Sequence, residues 1–163
     1  MSLVRAYRIC QQRVARGAFS GDGAAKYGGR WNSRGQRVVY LSDSISLAAL
    51  EILVHTTERE DLARVPYVFF EVEFDLRWIA DPPRLPPKWN DAMELSVAQR
   101  VGDQWLEGGK TCVLRVPSAI IPQQHNLLAN PAHPDFGKLK IGKPQHFDFD
   151  ARLATASKRG ARS

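Results

Sequence analysis

Apolar residues recur along this chain with two different periods, and the switches between them predict the order of its elements. Leu3, Arg5, Tyr7 and Ile9 alternate with Val4, Ala6, Arg8 and Cys10, which predicts a strand with polar groups on both faces and leaves the face of Arg8 open. Val68, Phe70, Val72 and Phe74 alternate with Tyr67, Phe69, Glu71 and Glu73, the clearest strand signal in the chain. Between them, Ile45, Ala48, Ala49, Ile52 and Leu53 stand at i, i+3, i+4, i+7 and i+8, the spacing of a helix with one buried face. That helix follows a short β-rich run, Arg37–Leu41, with Ser42 or Asp43 as the N-cap. Ser44, Leu47, Glu51 and His55 form the adjoining stripe, so Glu51 falls at the edge of the buried face, where a cleft-lining carboxylate belongs.

The second half reads less regularly. Pro82, Pro83, Pro86 and Pro87 enforce an extended connection. Residues 94–107 predict a second amphipathic helix through Leu95, Ala98, Val101, Trp105 and Leu106, interrupted by Gly102 and ended by Gly108-Gly109. Thr111–Val116 predicts a strand, Pro117-Ser118 a turn, Ala119–Ile121 a second extended piece, and Asn126–Asp135 a strand followed by a loop. Phe147, Phe149, Ala151 and Leu153 alternate as a final strand. Residues 15–36 read as one long loop, rich in Gly, Ser and Asn; Phe19, Tyr27 and Trp31 within it favour an ordered, functional loop. Strands outnumber helices and no repeats occur, so the expected class is α+β: a single domain with a mixed or antiparallel sheet and flanking helices. The domain is expected to span residues 1–153, with a basic, disordered tail over 154–163.

Composition narrows the function. A chain of 163 residues supports one core with room for a ligand pocket, and 44% hydrophobic with 25% charged residues excludes a largely disordered or fibrous protein. Arg5 and Arg8 break the opening segment where a signal peptide needs apolar continuity, and Cys10 and Cys112 lack metal spacing. The expectation is a cytoplasmic protein with two buried free thiols. The net charge of +6 is unevenly placed. Residues 1–40 hold eight basic groups against Asp22 alone, and residues 151–163 hold four with no acid, which leaves the middle acidic. Charge concentrated on the glycine-rich segment suggests a local anion site rather than a basic surface. A nucleic-acid-binding module or ribonuclease, motivated by a pI near 9.6, is the alternative from a different class.

The chemistry-bearing residues come in a fixed order: Tyr27-Gly-Gly-Arg-Trp-Asn32, Gly35, Val39-Tyr-Leu-Ser42, Ala48-Ala-Leu-Glu51, the Val116-Pro-Ser118 turn, and Asn126-Leu-Leu-Ala-Asn-Pro131. In this order and spacing the chain resembles the RES domain family, whose signature arginine, glutamate and serine are matched by Arg30, Glu51 and Ser118. The resemblance implies a fold similar to ADP-ribosyltransferases. It also implies a toxin of a type II toxin–antitoxin pair that degrades NAD at the nicotinamide–ribose bond, by glycohydrolysis or phosphorolysis. The alternative is an ADP-ribosyltransferase acting on a protein or small-molecule acceptor. NAD enters as substrate and no cofactor is implied. The implied partner is an Xre-like antitoxin with a helix-turn-helix region, through which any DNA contact would run; pairing of copies is compatible with such systems.

The residue types suit that chemistry. A carboxylate at Glu51 stabilises the oxocarbenium character that develops on the ribose. Arg30, on a Gly-Gly turn that lets the backbone approach closely, offers a planar fork to the pyrophosphate, with Arg8 as helper and Gly29 in the binding turn. Tyr40 is expected to hold the nicotinamide ring, Ser118 to make one hydrogen bond to ligand or to Glu51, and Tyr27 and Trp31 to line the base side. Arg30, Glu51 and Tyr40 are thus the catalytic candidates. Residue by residue the bland readings lead: a solvated glutamate, a core tyrosine, a turn serine. The resemblance reverses them. His55 is expected to complement the helix dipole, and His125, His133 and His146 lack metal-site spacing, so no metal is expected. The glycines fit neither a Rossmann fingerprint nor a P-loop.

Overall fold

The computed structural model describes residues 1–155. In chain order its elements are β1 (Leu3–Gln11), α1 (Asp22–Tyr27), β2 (Val39–Ser42), α2 (Ile45–His55), α3 (Asp61–Arg64), β3 (Tyr67–Asp75), β4 (Ile79–Ala80), α4 (Ser96–Gly108), β5 (Val113–Pro117), β6 (His125–Ala129), β7 (Lys140–Ile141), β8 (Gln145–Phe147) and α5 (Ala151–Ala154). Short 3-10 turns cover Gln12–Gly17, Leu76–Trp78 and Phe136–Lys138.

The two alternating segments pair with each other along their whole length: β1 lies antiparallel to β3, from Leu3 opposite Asp75 to Gln11 opposite Tyr67. The sheet runs β4-β5-β6-β2-β1-β3-β7, with β8 also on β3. All pairings are antiparallel except β4 with β5, so the fold is α+β around a mixed sheet, as the alternation of patterns predicts. Val68, Phe70, Val72 and Phe74 are all buried, while Tyr67 on the other face packs with Leu62, Phe149 and Ala154 beneath α3 and α5. The predicted apolar stripe of α2 meets Ile9 of β1 in the same cluster. On the far limb of the sheet, Ala98 of α4 packs with Leu114, Val116, Leu128 and Trp31.

The join between β1 and β2 positions the site. These strands share one register pair, Tyr7 opposite Ser42, and then part. The Tyr40 carbonyl, which a continued ladder would pair, instead accepts from Arg8 Nη1 at 2.9 Å. Arg8 therefore lies in the opening between the strands, which settles the face that its alternation left open.

Several expectations need correction. Ser44, not Ser42 or Asp43, caps α2, because Ser42 still pairs within β2. Residues 15–36 are not loop throughout: a 3-10 turn reaches Gly17, and α1 starts beyond Gly21, whose φ of 75° is the left-handed conformation that turns the chain. Ala119–Ile121 is not extended, because Ser118 Oγ accepts from the backbone N–H of Ile120 and of Ile121 and closes a turn between β5 and β6. The final strand stops at Phe147. Asp150 then accepts from Arg152 N–H and caps α5, so Ala151 and Leu153 are helical and Ala154 is buried. Most of the expected basic tail, 156–163, lies outside the described residues. Cys10 and Cys112 are buried free thiols; burial raises both, Cys112 to about 11.

Candidate active site

A cavity of about 720 Å³ opens where β1 and β2 part, bounded by α2, the turn around Gly29 and the β5–β6 connection. Its size falls within the range of about 300–1,000 Å³ usual for small-molecule sites. Arg8, Gly29, Arg30, Trp31, Tyr40 and Glu51 all line it, so the guanidinium of Arg30 and the carboxylate of Glu51 share one concavity. Ser118 is fully buried behind the wall and contributes through Glu51. Tyr27 is not brought in: at the end of α1 it is 68% exposed, with the Lys26 ammonium over its ring, and it lines none of the cavity.

Glu51 is held by neutral donors. Ser44 caps α2 by accepting from Leu47 N–H, so the helix starts directly after β2 and carries Glu51 back over the β2–β6 pair. Ser118 Oγ donates to Glu51 Oε1 at 3.1 Å and Asn126 Nδ2 donates to the same oxygen at 2.7 Å. With Oε1 so fixed, the other carboxylate oxygen is left for the cavity. Asn126 is in turn oriented by Ser42, whose Oγ donates to Asn126 Oδ1 at 2.9 Å. Among the described residues that line the cavity, Glu51 is the single carboxylate, and Arg8, Arg30 and His55 are the basic side chains.

The arginine turn is tied from several directions. Gly28, at φ 72°, turns the chain after α1, and Gly29 N–H donates to Asn32 O. A Cβ on Gly29 would stand 2.6 Å from Tyr40 Oη and 2.8 Å from Asn32 Oδ1, so only glycine fits. Tyr40 Oη donates to Asn32 Oδ1 at 2.6 Å and accepts from Trp31 N–H at 3.2 Å, and burial pushes its phenol well above the ordinary tyrosine range. The Tyr40 hydroxyl thus holds the turn, and only its ring remains for a ligand. From α4, Gln99 Nε2 donates to Gly29 O, Asp103 accepts from Ser33, and Gly102 lies flush against the Trp31 backbone. Gly102 does not interrupt α4, which runs unbroken through it.

Arg30 Nη1 donates to the carbonyls of Trp89 and Asp91, both at 3.2 Å, while Trp89 stacks on Trp31 with centroids 5.6 Å apart. The proline-rich connection therefore closes over the turn. Arg8 has a buried Nε without a hydrogen-bond partner, and burial lowers its pKa from the usual arginine value. Two guanidiniums, a pinned carboxylate and aromatic rings can together bind an anionic nucleotide and stabilise positive charge beside it.

A family model described as the RES domain matches residues 5–150. The chain belongs to the RES domain family. Among its relatives, proteins named Toxin Res from Yersinia enterocolitica and from Photorhabdus laumondii are each 36% identical; they match 90% and 93% of this chain and 97% and 98% of their own lengths. A Sphingobium protein named Prs ADP-ribosylating toxin is also 36% identical, over 83% of this chain and 86% of its own. Among solved structures, a chain of the M. tuberculosis MbcT–MbcA toxin–antitoxin complex superimposes with a TM-score of 0.71 at 22% identity, covering 90% of this chain and 85% of that one, a likeness of fold. In this chain Arg30 and Glu51 line one cavity, and Ser118 is bonded to the glutamate.

Sequence reasoning quoted Asn32, Ser42 and Asn126 within motifs without giving them a role in this site, and missed Asp103. A signal was present for one of them: asparagine is depleted in strands, and Asn126 stands inside the apolar run of β6. Among the described residues no helix is long and apolar enough to cross a membrane.

Proposed function

We propose that this RES-family chain is a toxin that consumes NAD by breaking the bond between nicotinamide and ribose. The observation that carries the reading is the pinned carboxylate of Glu51 in a cavity whose other charged groups are cationic. Arg30 and Arg8 suit the pyrophosphate bridge, Arg30 by exchanging its carbonyl partners for phosphate oxygens and Arg8 as a second guanidinium lining the same cavity. As the C–N bond breaks, its electron pair passes to the pyridinium nitrogen, and nicotinamide leaves neutral without needing a general acid. The ribose carbon becomes electron-poor, and the free oxygen of Glu51 stabilises it. Water then adds with loss of a proton to solvent, giving ADP-ribose; inorganic phosphate would give the 1-phosphate instead.

Purified chain incubated with NAD, with and without phosphate, should release nicotinamide and one of these two products, and E51Q should not. Absence of NAD loss, or an E51Q variant as fast as wild type, overturns the reading. A second reading, transfer of ADP-ribose to a macromolecule, draws on the printed name of the Sphingobium relative. Label from adenine-tritiated NAD appearing in a protein acceptor would favour it. The fold likeness to a chain of a toxin–antitoxin complex supports an antitoxin as partner, with an Xre-like helix-turn-helix protein as the specific form proposed. Buried free thiols agree with action in a reducing cytoplasm.

A further inference from the structure

We propose that Ser42 is a positioning residue for the reaction: through the Asn126 amide, it fixes the carboxylate of Glu51. The inference rests on the proposed NAD chemistry for its kinetic consequence, but not for its structural content. β2 and β6 place Ser42 directly opposite Asn126 in antiparallel register, so their side chains stand together on one face of the sheet. Both are buried, at 4% and 8% exposure, and both line the cavity.

The donor pattern gives the pair a direction. An ionised carboxylate only accepts, so Asn126 must aim Nδ2 at Glu51, at 2.7 Å. Its Oδ1 is then committed to the opposite side, inside the protein, where the Ser42 hydroxyl is the donor that meets it at 2.9 Å. Without that hydroxyl the amide carbonyl is buried without a partner, a state relieved by rotating the amide away and releasing Glu51. A donor on Oδ1 also polarises the amide and strengthens the N–H it offers to the carboxylate. Ser118 fastens the same Glu51 oxygen independently, so loss of Ser42 loosens the carboxylate without freeing it.

Three variants test the relay. S42A should lower kcat for NAD loss roughly tenfold, the rate equivalent of about one net hydrogen bond, with KM within about twofold. S42T, which keeps the hydroxyl, should restore most of the rate. The S42A/N126A double variant should be no slower than N126A alone, because both changes cut one chain of bonds. Multiplying losses, or S42T as slow as S42A, would overturn the relay. The side-chain amide protons of Asn126, followed by ¹⁵N-resolved NMR, keep the test independent of activity: in folded S42A they should shift and exchange faster with solvent. Unchanged amide signals refute the relay even if NAD is consumed. Changed signals in a chain that does not consume NAD support the relay while the proposed function fails.

Discussion

On the wall that carries Glu51, position follows from regular structure. A capped helix returns over two strands in register, and each donor to the carboxylate sits on or beside β5 or β6. On the wall that carries Arg30, position follows from close contact between irregular segments: a glycine turn, a tyrosine hydroxyl, a connection closed by stacked indoles, and a helix that meets the turn through Gly102. The first wall should therefore suffer mainly in activity, from losing a donor or the charge itself, and the second mainly in folding, from gaining volume or losing the tyrosine hydroxyl. The two walls fail differently.

Replacing the charge should have the largest effect. E51Q keeps the shape of the side chain and should lower NAD consumption by about 100- to 1,000-fold, near 3–4 kcal/mol of transition-state stabilisation, with thermal stability little changed. The check is kcat for nicotinamide release beside a thermal melt. G102A should come next and should act on folding. A Cβ there would stand 1.7 Å from the Trp31 carbonyl oxygen, so α4 or the turn must shift, at a cost of about 3 kcal/mol. Helix propensity alone predicts the opposite sign, about 1 kcal/mol of stabilisation, so one denaturant titration decides between them.

Y40F should cost about 2 kcal/mol of stability, because it leaves Asn32 Oδ1 and Trp31 N–H unpaired. If the ring alone matters, stability and activity would both survive, and the claim that this hydroxyl organises the arginine wall would be wrong. The smallest effect belongs to G23A in α1. Nothing lies within 4 Å of a Cβ at that position, so the variant should gain about 0.5 kcal/mol by chain stiffening and helix propensity, visible as a slightly raised Tm.

The same contrast explains what was legible beforehand. β1, β3, α2 and α4 announce themselves because each repeats an apolar period over enough residues to define a face, and Glu51 could be placed at the edge of one such face. The arginine wall has no period. Its glycines and polar residues signal a loop, and only tertiary contacts show that part of it is helical and that Tyr27 faces solvent. Gly102 was misread for the same reason: its local cost to a helix is written in the sequence, whereas the backbone of Trp31 that requires it comes from a distant segment. Asn126 was quoted within a motif but not weighed, because its partner Ser42 becomes its neighbour only once β2 and β6 align. The alternation of Phe147, Phe149, Ala151 and Leu153 misled because Asp150, a short-range cap, outweighed a weak strand pattern.

The stacked indoles of Trp31 and Trp89 give the molecule an intrinsic optical gauge. Planes inclined by 29° at 5.6 Å bring two strong transition dipoles close enough to couple, which adds paired bands of opposite sign to the circular dichroism. Whatever pulls residues 89–91 from the arginine turn separates those chromophores, so the seating of that connection can be followed in solution without attaching a dye.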